Sequence, residues 1–359
     1  MKSPFVNEFE ANSDITAVLL VHVKDVRQKK SGEPYLSLTL GDRSGDIDAK
    51  MWDNVEDVLD VFDRDDFIKI RGRVQIFQNR PQLTVHRLQK LEDREVELGD
   101  FFPVSSRGLD EMWLELEGLI QGLGNPHLKA LLEAIFADAE IARKYRIAPA
   151  AKSIHHAWLG GLLEHVLSLA HLARLTAAHY RQVDLDLLLT GVVLHDIGKI
   201  HELSYERSFS YTTEGQLLGH IIIALRMIDE KLRGLPDFPG KLRTLIEHMV
   251  VSHHGVLEYG SPKTPMFLEA LLLHHLDNLD SKMESMRQHE RKDKTVGSDW
   301  TAYLPSMERP VLKKEQYLGN GSKNAVTPPE PVEKKTTASP AKPNASGSPF
   351  ADVLKKALV

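Results

Sequence analysis

Cysteine is absent from this 359-residue sequence, which excludes disulfides, thiolate nucleophiles and thiolate zinc sites together. Long apolar runs are also missing. The longest, residues 217–228, is broken by His220 and Arg226 and falls short of the roughly 18 residues a membrane span needs. Residues 1–15 carry Glu8, Glu10 and Asp14 and hold no apolar core of a secretion signal. These absences point to a cytoplasmic protein with no membrane partner. An excess of positive charge is lacking too: the net charge is -6, so gross electrostatics does not hold this chain on nucleic acid. A local basic stripe remains compatible with that total. Hydrophobic content of 42% and charged content of 27% are those of a globular chain long enough for two or three domains.

Histidine is what the sequence concentrates. Thirteen of its seventeen histidines fall between His155 and His275, and such enrichment requires a chemical or structural cause.

The pattern along the chain predicts a multidomain α+β protein. Strands are expected at residues 15–21, 35–40, 46–52, 67–77 and 81–88, with turns at Ser31-Gly32-Glu33-Pro34, Gly41-Asp42-Arg43-Ser44-Gly45 and Gln78-Asn79-Arg80. A short acidic helical stretch, residues 54–62, separates the third strand from the fourth. This is the order of an all-β OB-fold barrel, assigned to residues 1–95. Residues 96–150 read as a helical linker: Met112, Leu116, Leu119 and Ile120 share one face, and Leu128, Leu131, Leu132 and Ile135 another. Residues 151–305 form an all-α domain, with helices expected at 156–176, 184–196, 217–233, 240–251 and 265–282. Residues 306–359 are a flexible tail, whose stretch 319–348 has too few apolar residues to offset the entropy of ordering. Residues 350–358 regain helical spacing and read equally as a docking peptide for an unknown protein or as a frayed end.

The chemistry centres on Leu194-His195-Asp196-Ile197-Gly198-Lys199, at the end of an apolar helical run. Adjacent His195 and Asp196 at a helix end both reach one site, and a buried pair of this kind must be partnered or metal-bound. Lys199 lies one turn on, placed to hold an anionic group. Other donors sit singly or in pairs on apolar helices: His165, His220, the adjacent His253 and His254, and Asp277. Any one of them alone is more often a satisfied core residue; the series points to metal. Nitrogen and oxygen donors suit divalent Mn, Mg, Co, Fe or Zn, and Asp196 can serve two ions at once. A pair of ions roughly 3.5–4 Å apart suits phosphoester hydrolysis.

The order H…HD…H…HH…D resembles the HD phosphohydrolase superfamily. The runs Pro149-Ala150-Ala151-Lys152-Ser153-Ile154-His155-His156-Ala157-Trp158-Leu159-Gly160-Gly161-Leu162-Leu163-Glu164-His165 and Ser252-His253-His254-Gly255-Val256-Leu257-Glu258-Tyr259-Gly260-Ser261-Pro262 are similar to the YhaM family of bacterial 3′-5′ exoribonucleases, over about residues 15–309. The resemblance implies an OB-fold ahead of an HD domain and two divalent ions, Mn2+ foremost. It implies His165, His195, Asp196, His220, His253 or His254 (or both) and Asp277 as ligands, and Lys199 on phosphate. Cleavage polarity comes from the resemblance alone. The Gly-Tyr-Pro motif of cyclic-dinucleotide phosphodiesterases is missing, which disfavours those substrates. His155 and His156 read as lining the substrate entrance or supplying an acid for the leaving oxygen, or equally as capping or packing at a helix start. Asp280 and Lys282 read as a supporting pair or a surface pair. His171, His179, His201, His248, His274 and His275 are assigned structural roles.

In the barrel, Tyr35, Trp52 and Phe77 interleave with Arg71, Arg73, Arg80 and Arg87, an aromatic and basic set that suits single-stranded RNA or DNA. Against this stand barrel filling by Trp52 and Phe77, and a barrel used only to assemble a homo-oligomer. The expected function is a metal-dependent 3′-5′ exoribonuclease; its rivals are a small-nucleotide phosphohydrolase and a non-catalytic nucleic-acid adaptor.

Overall fold

The computed structural model describes residues 4–78, 80–152, 156–205, 210–293, 295 and 297–319. Five strands come first: β1 (Asp14–Gln28), β2 (Pro34–Asp42), β3 (Gly45–Met51), β4 (Phe67–Phe77) and β5 (Arg80–Lys90). They close into a barrel of order β1-β2-β3-β5-β4, antiparallel except where β3 meets β5. This is the OB-fold expected from the strand order. The apolar run at Leu19, Leu20 and Val21 breaks strict alternation for a physical reason. Leu19 and Val21 fill the barrel, while Leu20 and Phe67 point outward into the core of the helical part. The Phe67 ring meets Phe101 of the connecting segment at 4.6 Å between centroids. The expected acidic helix at 54–62 is reduced to one 3-10 turn, Glu56–Val58. Asn54 adopts a positive φ, and only Val55 and Phe62 are buried anchors there.

Three helices follow: α1 (Leu109–Gln121), α2 (Pro126–Phe136) and α3 (Ala139–Ile147). The two apolar faces read from sequence are the buried faces of α1 and α2. The third helix, missed by periodicity, is short and starts on Asp138, whose carboxylate accepts from the backbone of Glu140 and Ile141.

The histidine-rich region supplies α4 (Gly161–His179), α5 (Leu185–Leu194), the single turn α6 (Lys199–Glu202), α7 (Thr213–Leu232), α8 (Gly240–Ser252) and α9 (Leu268–Lys292). α4 starts later than expected because His156 and Gly160 hold left-handed φ values of 45° and 79°. The domain is not wholly helical: β6 (Leu203–Ser204) pairs with β7 (Ser210–Tyr211). None of the described helices is long and apolar enough to cross a membrane.

The described residues up to 292 form one compact unit, and those from 293 to 319 belong to a second. Within the second, β8 (Trp300–Leu304) and β9 (Arg309–Leu312) make a hairpin, followed by α10 (Lys314–Gly319). The boundary drawn at 305/306 therefore cuts a turn. Buried Leu304 and Val311, with the ion pair of Lys313 Nζ and Asp293 at 2.6 Å, give this segment its own packing. Residues 320–359, including the expected docking peptide, lie outside the described residues, as does His155.

Candidate metal centre

α5 ends at Leu194, and the chain turns through His195 and Asp196 into α6. Tyr145 of α3, fully buried, donates its hydroxyl to the Val193 carbonyl at 2.9 Å and so satisfies one of the last carbonyls of α5. Gly198 brings this turn against α7: a Cβ there would lie 2.0 Å from the His220 carbonyl oxygen. α7 is broken at Gly219 (φ 71°, ψ 160°), immediately before His220. The backbone N–H of His220 then donates to Glu202 Oε1 at 3.0 Å.

Four imidazoles share one construction. His195 Nδ1 lies 2.8 Å from the Val192 carbonyl, and His253 Nδ1 lies 2.7 Å from the Val250 carbonyl. A carbonyl only accepts, so in both rings Nδ1 carries the proton and Nε2 presents its lone pair. His165 Nδ1 meets Asp280 at 2.8 Å, and His220 Nδ1 meets Glu202 at 3.1 Å. Carboxylates behind a ligating histidine fix its tautomer and raise its basicity.

The four Nε2 atoms face Asp196 and Asp277. His165 Nε2 lies 3.2 Å from Asp277 Oδ1, and His195 Nε2 lies 4.0 Å from the same oxygen. Asp196 looks both ways. Its Oδ2 is 3.3 Å from His195 Nε2 and 2.7 Å from Lys199 Nζ; its Oδ1 is 3.5 Å from His220 Nε2 and 3.8 Å from His253 Nε2. Three groups of three donors result among the described residues, with the ligand atoms of each within 4.8 Å of one another: His165/His195/Asp277 and His220/His253/His254, which meet at Asp196, and His156/His165/Asp280 behind His165. His195 Nε2 and Asp196 Oδ1 are buried and make no hydrogen bond. Orphaned buried polar atoms are rare and call for an explanation. Lone pairs converging from buried imidazoles and carboxylates, more than the Lys199 ammonium at Asp196 Oδ2 satisfies, fit divalent metal.

Charges at His253, Asp196 and Asp277 match, whereas His165, which burial alone would lower, is raised to about 9 by the carboxylates of Asp277 and Asp280. Burial pushes the His253 imidazole well below its usual range, with the neighbouring His195 and His254 acting in the same sense; it is neutral, as a ligand must be. Burial would raise the Asp196 carboxyl, but Lys199, His195 and His220 hold it well below the carboxylate range. Asp277 is likewise held low against its burial by His165 and His195.

The remaining sequence-derived sites divide. Lys199 reaches Asp196. His156 is not in the two groups that meet at Asp196: its Nε2 lies 3.1 Å from Asp280 Oδ2, the oxygen that His165 Nδ1 meets at 2.8 Å, and it forms the third group with those two residues. Asp280 binds His156, His165 and Ser168 Oγ, whereas Lys282 is exposed. His274, assigned a structural role, has Nδ1 2.9 Å from the His253 carbonyl. Glu202 and Ser168 were missed. Ser168 lies three residues after His165 on the same helix face, a usable signal; nothing in the sequence marks Glu202.

On the barrel, Tyr35 and Trp52 stack at 4.6 Å and 24°. Trp52 and Phe77 are 39% and 56% exposed, so neither fills the barrel. The ladder pairs Arg71 with Arg87 and Phe77 with Arg80. All four arginines are exposed, and Arg73 lies 3.9 Å from Asp14.

Residues 20–91 match the family described as OB-fold nucleic acid binding domain, and residues 162–282 match the HD domain. A 3′-5′ exoribonuclease YhaM of Bacillus subtilis (strain 168) is 35% identical over 278 residues, 77% of this chain and 88% of that protein. One from Geobacillus sp. (strain WCH70) is 34% identical over 276 residues, 77% of this chain and 84% of that protein. Among solved structures, the second OB-fold domain of replication protein A from Methanococcus maripaludis matches 26% of this chain and 96% of its own, at 22% identity and a TM-score of 0.21.

Proposed function

The chain belongs to the YhaM family of 3′-5′ exoribonucleases, and from that membership we propose that its helical domain hydrolyses single-stranded RNA from the 3′ end, releasing nucleoside 5′-monophosphates. The observation that carries this reading is the meeting of two three-donor groups at the one carboxylate of Asp196. His165, His195 and Asp277 would hold one divalent ion, His220, His253 and His254 a second, and Asp196 both. Manganese is the ion we favour. Bound ions of this kind supply Lewis-acid polarisation of phosphate and acidify water to near-neutral pKa.

The chain's own groups do the rest. Glu202 and Asp280 orient His220 and His165. Burial would lower the Lys199 ammonium, but Asp196 2.7 Å away keeps it charged. It is placed to offset charge gathering on phosphate oxygens. Tyr35, Trp52 and Phe77 offer stacking faces for bases, and Arg71, Arg73, Arg80 and Arg87 offer charge for the backbone. Single-stranded DNA, assembly into a homo-oligomer, capture of a partner by residues 350–358 and a cytoplasmic location belong to the same proposal.

The test compares 3′-labelled and 3′-blocked oligoribonucleotides and free nucleotides, with Mn2+ added, for wild type and Asp196→Ala. Release of the label as a 5′-monophosphate in the first step by wild type alone, prevented by the block, is the expected result. Hydrolysis of free nucleotides with oligomers left whole would overturn it.

A further inference from the structure

α9 carries one polar stripe that begins at the metal centre and runs away from it. Asp277 and Asp280 serve the histidines; Glu284, Arg287, Gln288 and Arg291 continue the same face at helical spacing. Gln288 lies eleven residues beyond Asp277, about 16 Å along the axis. Here the stripe lines a cavity of about 460 Å³, whose opposite wall includes Val104 of the segment joining barrel to helices, and Trp158 before α4. Val104 bridges Leu159, so the connector and the start of α4 are fastened together beside the opening.

The lining is built for a ligand. Gln288 is 6% exposed. Lys292 Nζ, which only donates, lies 3.4 Å from its Oε1 and thereby fixes which way the amide faces. Gln288 Nε2 is left buried with no hydrogen-bond partner, an amide with two unmatched N–H donors on a residue of the cavity wall. Buried Glu284 is matched by Arg291 at 2.6 Å and Arg287 at 3.8 Å. Both guanidinium groups stay about two-thirds exposed at the rim, free to meet phosphate. Trp158 donates its indole N–H to Glu164 at 2.8 Å, leaving its ring as an apolar surface. An aromatic surface, unmatched amide donors and a cationic rim are what a base with its phosphate requires.

We propose that this cavity is a subsite for one nucleotide of the RNA strand, upstream of the bond being cut. Its place between the connector from the barrel and the stripe leading to the metal centre favours a strand passing from one to the other. The inference rests on the exoribonuclease reading for its substrate, yet its binding test needs no catalysis.

Binding of a 5′-labelled oligoribonucleotide of about ten residues is measured by anisotropy in chelator, which prevents turnover, for wild type, Gln288→Leu, Trp158→Phe and Arg287→Ala. Thermal melting verifies that each variant is folded, and adenosine 5′-monophosphate serves as the free-nucleotide probe. Gln288→Leu and Arg287→Ala are each expected to weaken oligomer binding about 5- to 10-fold. With Mn2+ they raise KM for the oligomer, leave its kcat, and leave dinucleotide hydrolysis unchanged. Trp158→Phe, which keeps an aromatic ring, is expected to lose less. Unchanged oligomer binding in both variants overturns the proposal. So does loss of adenosine monophosphate binding with oligomer binding intact, which would mark a free-nucleotide site. A wild type that binds the oligomer but never degrades it would instead sink the activity assigned above.

Discussion

His165, His195, His220 and His253 are each held through Nδ1 by the group behind the ring. Asp280 reaches His165 and Glu202 reaches His220 through Nδ1. Asp280→Asn and Glu202→Gln keep the volume and remove the charge, so both variants should fold. Each should weaken metal affinity about 10–100-fold, read by Mn2+ titration in a calorimeter. Wild-type affinity in both would mean that these carboxylates support only the fold. Asp196 was legible from the sequence because a buried His-Asp pair demands a partner. Glu202 was not: it reaches His220 only because Gly219 breaks α7 and turns that backbone N–H toward it. A left-handed glycine inside a helix leaves no periodic trace.

The helices are positioned by contacts that tolerate little. Gly198→Ala would set a methyl 2.0 Å from the His220 carbonyl oxygen and 2.8 Å from the Ala224 nitrogen, both backbone atoms. Overpacking of this kind costs about 1–3 kcal/mol. The expected result is a lower urea midpoint together with weaker metal binding, since the turn bearing Asp196 and the helix bearing His220 are pushed apart. Asp138 plays a different part. It caps α3 and pairs with Lys231 of α7 at 2.8 Å, and the hydrogen bond to Lys231, with those from Ile141 and Glu140, lowers its pKa against slight burial. Asp138→Ala should cost about 1 kcal/mol, chiefly the cap, because a partly exposed pair adds little. A depressed carboxyl stabilises the fold above its unfolded pKa of about 4 and loses that contribution as pH falls through its folded value. The variant's deficit in melting temperature should therefore be present at neutral pH and shrink in acid. Element type was readable wherever apolar spacing ran for two turns or more, as in α1 and α2. It was misread where a few backbone angles decide, as at His156 and Gly160 before α4.

For the molecule as a whole, metal is expected to act on stability as well as on catalysis. A ligand that binds only the folded state adds about 2.7 kcal/mol at a concentration a hundredfold above its Kd. For a helical region of this size that raises melting by about 5–10 °C. Chelation should remove the increment from the helical transition by calorimetry, and should reach the barrel, which has its own core, only through Leu20 and Phe67. Joint replacement of Arg71 and Arg87 by alanine should lower RNA affinity and reduce the salt slope of log K by about 0.7 for each lost phosphate contact. An unchanged slope would remove those arginines from the RNA path.

Side chains from separate helices would hold the proposed pair of ions. Anomalous diffraction at the manganese edge, from crystals grown with Mn2+, tests this most directly. Two peaks flanking Asp196 are predicted, one beside His165, His195 and Asp277 and the other beside His220, His253 and His254. A single peak, or one lodged against Asp280 and His156 with Asp196 left bare, would contradict it.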